Sequence, residues 1–357
     1  MDKTYSSWMD GTWSSAQKEY TEPTTMLDEN GKLLCAGYAK HNVFDYDRNR
    51  VRHQMRRKEW DFYQISNGKL MVQISFANIS LGGYVAAAVV DIQNGKKLIN
   101  STHLFVGGKD KYPLPPKGDV PNVVGYKIGS AEFEFKTEAK SRTLTYKDGR
   151  VEASFQMDMY DDHQNLTTIL PFDGYDDRFF MTTKAVCMPC AGYIKSKTKE
   201  FSFTKEDTFC SLDWGRVCTP YKLVWYWGSG SSYLTDADGK KHTLGFEITW
   251  GIGNESNATE TAIFYDGKTH KFDAIDVETF PKPNKYMEPW KFVSKDGRFD
   301  MTMTPFYDHH ADTNALVLRM NSHQVHGLWN GTVTLDNGTK LEIKDMYAFC
   351  EYVENRW

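Results

Sequence analysis

The stretch TFCSLDWGRVCTP (208–220) returns in altered form at the end of the chain as AFCEYVENRW (348–357). Both copies begin with Phe-Cys and reach an arginine after the same number of residues. A frame that occurs twice is expected to be structural. Asp213, Trp214 and Gly215 occur only in the first copy. The two related stretches therefore predict a duplicated fold. The difference between them makes Asp213 the first candidate for a catalytic residue.

Other segments repeat in the same order along the chain. These are QISFANI (73–79) with EITWGIG (247–253), PLPPK (113–117) with PKPNK (281–285), and KDGRVEASFQMDMYDDH (147–163) with KDGRFDMTMTPFYDHH (295–310). Ordered self-similarity of this kind is the signature of an internal repeat. We predict two halves, residues 1–216 and residues 217–357, and each is long enough for a β-barrel or β-sandwich of about eight to ten strands.

Turn signals set the fold class. Asn-Gly and Asp-Gly pairs occur along the whole chain, and β-rich runs such as LGFEITWGI (244–252) lie between them. Pairs of this type favour two-residue hairpin turns. No long stretch carries the apolar period of an amphipathic helix. The sequence therefore predicts an all-β, antiparallel fold built from hairpins.

Composition narrows the class of protein. The 357 residues include 40% hydrophobic and 14% aromatic residues, which is typical of a globular chain with a large core. The net charge of −4 gives no electrostatic basis for binding nucleic acid. No apolar run reaches the roughly 18 residues of a membrane span. The N-terminus lacks the pattern of a secretion signal, so we expect six reduced cysteines and a cytoplasmic location.

Asp213 and Arg216 form the first candidate site. We expect a carboxylate that is held by Arg216, shielded by Trp214 and able to give or take a proton. Burial raises the pKa of an aspartate and a paired arginine lowers it, so the direction depends on the geometry. The alternative is a structural ion pair that closes the interface between two barrels.

The strand KLVWYWGSG (222–230) alternates Trp225 and Trp227 on one face with Tyr226 on the other. Small barrels hold ligands on their inward face, so we predict that these tryptophans bind a ligand, with ordinary core packing as the alternative. Glu247 alternates with large apolar residues in the next strand. It either faces solvent or acts as an acid inside a barrel.

Histidines cluster in FYDHHADTN (306–314) and SHQVHG (322–327). Their spacing does not force side chains to converge on a metal ion, so no metal site is predicted. The predicted catalytic residues are Asp213, Glu247, His309, His310 and His326. The predicted ligand-binding residues are Trp214, Arg216, Trp225, Tyr226, Trp227, Trp250, His323 and Trp329. A structural or surface role for the histidines remains the alternative.

Several of these motifs together resemble a known family. KEWDFYQI (58–65), DWGR (213–216) before VWYWGSGSS (224–232), and GLWNGTV (327–333) are similar to the uncharacterised domain of unknown function 2804, over nearly the whole chain. Asp-Trp-Gly is also similar to the Asp-x-x-Trp-Gly signature of carotenoid hydratase (hydroxyneurosporene synthase) and AttH-like proteins. In this chain Asp213 directly precedes the tryptophan. The resemblance implies two lipocalin-like antiparallel β-barrel halves.

The leading functional prediction is a cofactor-independent acid–base enzyme. It would hydrate, dehydrate, isomerise or cyclise a small apolar or amphiphilic molecule in an aromatic-walled barrel pocket. The chain has no P-loop, dinucleotide fingerprint or Gly-x-Ser-x-Gly elbow, so no cofactor is expected. One alternative is a non-catalytic carrier of a lipid or other hydrophobic molecule. The other is a glycosidase that pairs Asp213 with Glu247 or Asp308. The oligomeric state is left open.

We further predict a single pocket that spans the two halves. Asp213, Trp225 and Trp227 would line it together with one of the histidines His309, His310, His323 or His326. The histidines belong to the second copy and Asp213 to the first, so the pocket would lie between the halves, where a site can draw groups from both.

Overall fold

The computed structural model describes residues 16–108, 110–277, 285–315 and 318–356. Most of PKPNK (281–285), one of the repeated segments, lies outside the described residues. The only helices in the described part are two short 3₁₀ turns, Arg48–Arg50 and Gln54–Arg56. Strands make up nearly all of the remaining regular structure.

The strands of the first part of the chain are β1 (Thr24–Thr25), β2 (Gly37–Ala39), β3 (Phe44–Asp45), β4 (Arg57–Ser66), β5 (Leu70–Asn78), β6 (Gly82–Asp91), β7 (Lys96–Val106), β8 (Asn122–Ile128), β9 (Ala131–Thr137), β10 (Ser141–Lys147), β11 (Val151–Asp158), β12 (Leu166–Pro171), β13 (Phe179–Ser196), β14 (Glu200–Phe203) and β15 (Phe209–Cys218). Those of the second part are β16 (Lys222–Thr235), β17 (Lys241–Trp250), β18 (Glu260–Tyr265), β19 (Lys268–Lys271), β20 (Ile275–Val277), β21 (Trp290–Ser294), β22 (Phe299–Ala315), β23 (Leu318–Thr334) and β24 (Lys340–Arg356).

The two large sheets have matching strand orders. The first runs β7-β6-β5-β4-β15-β13-β11-β10-β9-β8, and the second runs β19-β18-β17-β16-β24-β23-β22-β21-β20. In both sheets the first strand of a four-strand meander pairs with the last strand of that part of the chain, β4 with β15 and β16 with β24. Each sheet curls into a lobe. The predicted all-β fold of two lipocalin-like halves is confirmed, and the boundary at residue 216 stays a prediction.

Burial patterns distinguish strands with one covered face from strands with two. β9 alternates buried and exposed residues, as expected for a strand that has the core on one side and solvent on the other. β17 is buried at almost every position, because one face packs on its own core and the other faces the first half. We call the contact zone between the two halves the seam.

Side chains fill the interiors of both lobes. The first core includes Phe76, Phe133 and Phe135, and the second includes Trp290 and Phe292. Interiors packed in this way have the density of an ordinary protein core. Core side chains therefore occupy the space that a ligand pocket inside either lobe would need.

The segment around Pro115 and Gly118 lies against the first lobe. Arg142 Nη2 donates to the Gly118 carbonyl at 2.6 Å, and Arg216 Nε donates to the Pro115 carbonyl at 3.0 Å. Hydrogen bonds from buried arginines are strong, because charge assists them in a medium of low dielectric. Arg142 and Arg216 thus anchor this segment to the first lobe.

A bulge in β13 docks the first half onto the second. The pairing of β13 with β15 shifts register between Ala185 and Met188, and Cys187 adopts a positive φ of 63°. The Cys187 N–H donates to Ser231 Oγ at 3.1 Å. A Cβ on Gly245 would clash with the Cys187 sulfur, so only glycine permits this approach. Bulges of this type redirect a strand locally.

All six cysteines are buried free thiols. Within the described residues, no helix is long and apolar enough to cross a membrane.

Candidate functional site

Asp213 and Arg216 point in opposite directions. They are three residues apart in β15, and an odd separation places side chains on opposite faces of a strand. Arg216 Nη2 donates to Asp61 Oδ1 at 3.0 Å, and its guanidinium lies 4.1 Å from the ring centroid of Trp214. Asp213 Oδ1 instead lies 3.0 Å from Lys184 Nζ. The predicted Asp213–Arg216 pair is therefore wrong, and Trp214 packs in the first core.

Gly215 leaves space for the indole of Trp60, which is the second partner of Asp213. The Trp60 Nε1–H donates to Asp213 Oδ2 at 3.0 Å, and Trp60 lies directly opposite Gly215 in the β4–β15 register. Any side chain on Gly215 would clash with the Trp60 indole. The Asp-Trp-Gly segment thus supplies the carboxylate, a core aromatic residue and the space for the indole donor.

Lys184 is the centre of a buried charge cluster. Its Nζ lies 3.5 Å from Glu247 Oε1 and 3.9 Å from Glu260 Oε2, in addition to the contact with Asp213. The ammonium also lies 4.2 Å from the ring centroid of Trp227, in cation–π geometry. The Lys184 side chain is only 4% exposed. One ammonium therefore serves three carboxylates that come from both halves of the chain.

The carboxylates keep Lys184 charged. Burial alone lowers the pKa of Lys184, but Asp213, Glu260 and Glu247 together raise it above the ordinary value of a lysine. A permanent cation at the seam attracts negative charge that develops on any molecule bound there.

The surroundings of Glu247 favour its protonated form. Burial raises the pKa of Glu247 to about 8, and the charges on Glu260 and Asp213 add to that effect against Lys184. The side chain is 1% exposed, and the Trp227 Nε1–H donates to its Oε1. The two sequence alternatives for Glu247, solvent or a barrel interior, are both wrong, since its face of β17 is covered by the other half.

Glu351 brings another acid to the seam. The Trp225 Nε1–H donates to Glu351 Oε1 at 3.1 Å, and Gln324 Nε2 donates to Glu351 Oε2 at 3.4 Å. Burial raises the pKa of Glu351 to about 7. In the aligned repeats Glu351 falls at the position of Ser211, so each copy places an acid on its last strand but at a different position.

Trp225 and Trp227 share one face of β16, and Tyr226 lies on the other, as the alternation predicts. The tryptophan face, however, turns toward the first half and away from the interior of its own lobe. The predicted pocket inside a barrel is therefore wrong, because core side chains occupy that interior. Tyr226, Trp250 and Trp329 are part of this core and do not join the Lys184 cluster.

Among the predicted histidines, His326 is connected to the Lys184 cluster through a series of ring contacts. It is fully buried, and burial lowers its pKa to about 3, so it is neutral. His326 Nδ1 and Tyr347 Oη share a hydrogen bond at 2.9 Å. Its ring contacts Phe349, whose ring packs edge-on against Trp227 at 4.8 Å. His326 therefore reaches the cluster only through Phe349.

The other histidines make contacts of a different kind. His310 stacks on His323 at 4.1 Å, and His323 Nδ1 pairs with Asp308 Oδ2 at 2.7 Å. Burial lowers the pKa of His309, whose ring stacks on Tyr307. These side chains lie along β22 and β23, and Tyr307 also stacks on His326 at 5.7 Å. In the described part of the chain, no group of three or more His, Cys, Asp or Glu side chains has a geometry that holds a metal ion.

Sequence reasoning missed Lys184, Glu260 and Glu351. Lys184 stands alone among apolar residues and threonines in FFMTTKAVCM (179–188), and lysine is almost never fully buried without a partner. That isolated charge was the available signal for Lys184. Glu351 lies within the repeated Phe-Cys frame, so the comparison of the two copies set it aside.

The family model described as domain of unknown function 2804 matches residues 17–357. The chain belongs to this family. Membership confirms the resemblance seen in the sequence. No curated protein matches the DUF2804 chain.

Two solved structures resemble this DUF2804 chain. A Nitrosomonas europaea protein described as an AttH candidate shares 14% identity at a TM-score of 0.50, covering 87% of this chain and 96% of the other. Kievitone hydratase from Nectria haematococca shares 9% identity at a TM-score of 0.46, covering 84% and 88%. The first likeness agrees with the lipocalin-like fold of the DUF2804 chain.

Proposed function

We propose that the protein is a cofactor-independent acid–base enzyme, and that the Lys184 cluster in the seam is its active site. The observation that carries this proposal is that one buried ammonium contacts Asp213, Glu247 and Glu260. A single positive charge does not balance three carboxylates in a medium of low dielectric. The cluster therefore retains a proton at neutral pH, and Glu247 is the residue that holds it.

The roles follow from this charge balance. Asp213 contacts Lys184 directly and acts as the carboxylate that takes a proton from carbon. Glu247 is the acid that protonates a leaving hydroxyl group, which departs as water. Lys184 contacts both residues and stabilises negative charge that develops on the substrate. The starting state returns when Asp213 releases its proton to solvent and Glu247 takes one up from solvent. Loss of water leaves a carbon–carbon double bond, and the enzyme would add water to such a bond by the same steps in reverse.

The surroundings of the cluster favour an apolar or amphiphilic substrate. Trp60 and Trp225 each donate an indole N–H to a seam carboxylate, and Phe62 packs edge-on against Trp227 at 6.2 Å. Trp60, Phe62 and Trp225 are partly exposed. Aromatic walls with a few convergent polar groups are typical of small-molecule sites.

The same aromatic wall would also bind the ligand of a carrier. A carrier, however, does not need a buried acid whose surroundings keep it protonated. A glycosidase needs two carboxyl groups in a cleft that admits a sugar. Asp213 and Glu247 would supply such a pair as well, so cleavage of a glycoside on incubation would favour the glycosidase. A ligand that is bound and recovered unchanged after long incubation would favour the carrier.

The deciding test is a substrate screen by mass spectrometry with Asp213→Asn beside the wild type. Small apolar alcohols and alkenes are incubated with each protein, and gain or loss of water or isomerisation is followed. We expect Asp213→Asn to stay folded and to lose about 10²-fold or more in turnover, the scale of a lost acid or base. Asp308→Asn is the matched control, because Asp308 pairs with His323 outside the cluster. Full activity in the folded Asp213→Asn protein would overturn the proposal.

A further inference from the structure

A small polar cavity lies in the seam. Residues of β4 and β15 line it from the first half, and residues of β16 and β24 line it from the second. Its volume is about 30 Å³, which is room for about one or two water molecules. The lining includes an amide and five hydroxyl groups, on Gln64, Ser66, Ser211, Ser229, Ser231 and Tyr347.

Ser229 differs from the other serines of the lining. Ser66 Oγ donates to the Leu70 carbonyl at 3.0 Å, and Ser231 Oγ accepts the Cys187 N–H at 3.1 Å. Ser229 is 1% exposed, and its hydroxyl lies close enough to the Glu247 carboxyl to lower the pKa of that group, but it makes no well-aligned hydrogen bond to any described residue. A buried hydroxyl group in this situation normally bonds to an internal water molecule.

Glu247 lies beside Ser229. The two residues are register partners in the β16–β17 pair, which puts their side chains on the same face with Cβ atoms about 5 Å apart. Oε1 of Glu247 faces Lys184 and accepts from Trp227, whereas Oε2 is buried and has no hydrogen-bond partner within the described part of the chain. A water molecule that bridges Ser229 Oγ and Glu247 Oε2 would satisfy both atoms.

We propose that this cavity is the binding site of the water molecule that the reaction adds or releases, held between Ser229 and Glu247. The inference rests on the proposed function and names water as the second substrate. In dehydration Asp213 takes a proton from carbon, the C–O bond breaks, and Glu247 protonates the departing oxygen, which enters the site as water. In hydration the water oxygen bonds to carbon, its proton passes to Glu247, and Asp213 protonates the neighbouring carbon.

The site is tested by a crystal structure at high resolution and by titration of ¹³C-labelled glutamate carboxyls, neither of which needs a substrate. The wild type is expected to show an ordered water molecule about 3 Å from Ser229 Oγ. Ser229→Val removes the hydroxyl and fills the cavity, so the water molecule should be lost. The Glu247 carboxyl should then titrate at a higher pH, since its ionised form loses a donor.

Ser232→Val is the matched control on the same strand. Its hydroxyl donates to the Tyr233 carbonyl at 3.2 Å, so the water molecule and the Glu247 titration should both stay unchanged. Ser229→Ala, which adds no bulk, replaces Ser229→Val if the valine variant does not fold. Absence of ordered water in the wild type, or an unchanged titration in the Ser229 variant, would overturn the site.

The alcohols and alkenes of the screen then separate this inference from the proposed function. With a reactive compound in hand, Ser229→Val should lose at least tenfold in hydration or dehydration, and Ser232→Val should not. An unchanged rate in Ser229→Val, with the water molecule gone, would overturn the role of this water as a reactant. Full activity in Asp213→Asn would instead overturn the proposed function itself, even if the water molecule is bound.

Discussion

At the scale of single residues, Asp213 depends on its neighbours along β15. The alternation of the strand sends Trp214 into the first core and leaves Asp213 and Gly215 on the seam. Asp213 then meets Lys184 from the adjacent strand and the Trp60 indole over the glycine. A short Asp-Trp-Gly segment thus fixes a carboxylate between an ammonium and an N–H donor.

Gly215→Ala tests the space that the glycine provides. The added methyl group would meet the Trp60 ring, so we expect a loss of about 1–3 kcal/mol in the free energy of unfolding, as in overpacked cores. Urea unfolding measures the change. Gly149→Ala is the control, since a Cβ there meets nothing within 4 Å. Equal stability of the two variants would show that Trp60 moves aside freely.

Glu247→Gln tests the stored proton through its pH dependence. Burial on folding raises the pKa of Glu247 from the ordinary glutamate value of 4.5 to about 8. Between these values the unfolded chain binds fewer protons at this site, so this group makes the folded protein less stable as pH rises. When unfolding is measured from pH 5 to pH 8, the free energy of unfolding of Glu247→Gln should rise relative to that of the wild type, by on the order of a few kcal/mol. A constant difference across this range would contradict the raised pKa.

At the scale of elements, β15 carries two separate charge systems on its two faces. The seam face holds Asp213 with Lys184, and the core face holds Arg216 with Asp61. Burial raises the pKa of Asp61, while Arg216 lowers it. Arg216 also donates to the Pro115 carbonyl and so anchors the segment against the first lobe.

Arg216→Met tests this second system. It leaves Asp61 buried without its partner, so we expect a loss of about 3–5 kcal/mol in the free energy of unfolding. The double variant Arg216→Met with Asp61→Leu should recover much of the loss, because no unpaired charge remains. A double-mutant cycle measured by denaturant unfolding gives the coupling. Independent effects of the two substitutions would contradict a buried pair.

The strands could be predicted because their signals are local. Alternation and Asn-Gly or Asp-Gly turns identify hairpins without knowledge of the partner strand. The continuous burial of β17 is different, since its second face is covered by residues far away in the chain. The sequence therefore predicted the strands and the repeat, but not which faces form the seam.

Some residues of the candidate site could likewise be predicted from the sequence, and others could not. Asp213 was found because the two copies differ there, whereas Lys184 depends on the register between β13 and β15, which a bulge shifts. The pairing of Asp213 with Arg216 could have been rejected from the sequence, because residues three apart in a strand face opposite ways. Glu351 stayed hidden because it lies inside the shared frame.

At the scale of the whole molecule, the seam joins the halves through both apolar and charged contacts. Leu166, Leu170 and Phe180 of the first half belong to the same buried cluster as Ile252 and Phe264 of the second. Lys184 and its carboxylates add charges that only the complete seam neutralises. In the first half alone Lys184 would keep only Asp213, and in the second half alone Glu247 and Glu260 would lose this ammonium.

Expression of residues 1–218 without the rest tests this dependence. The isolated fragment would expose the apolar cluster and leave Lys184 without Glu247 and Glu260, so we expect aggregation or loss of a cooperative unfolding transition. Co-expression with residues 219–357 should recover a soluble complex, followed by gel filtration and circular dichroism. A stable, cooperatively folding fragment 1–218 would show that the seam contributes little to its stability.

The placement of the buried thiols has a practical consequence. Cys35, Cys187, Cys190, Cys210 and Cys218 lie in the first lobe and its face of the seam, and Cys350 lies in the second lobe. A thiol reagent added in native buffer can modify each one only when its surroundings open. Mass spectra of the cysteine peptides, taken from samples quenched at successive times, would therefore report the opening of each lobe separately, without any introduced cysteine.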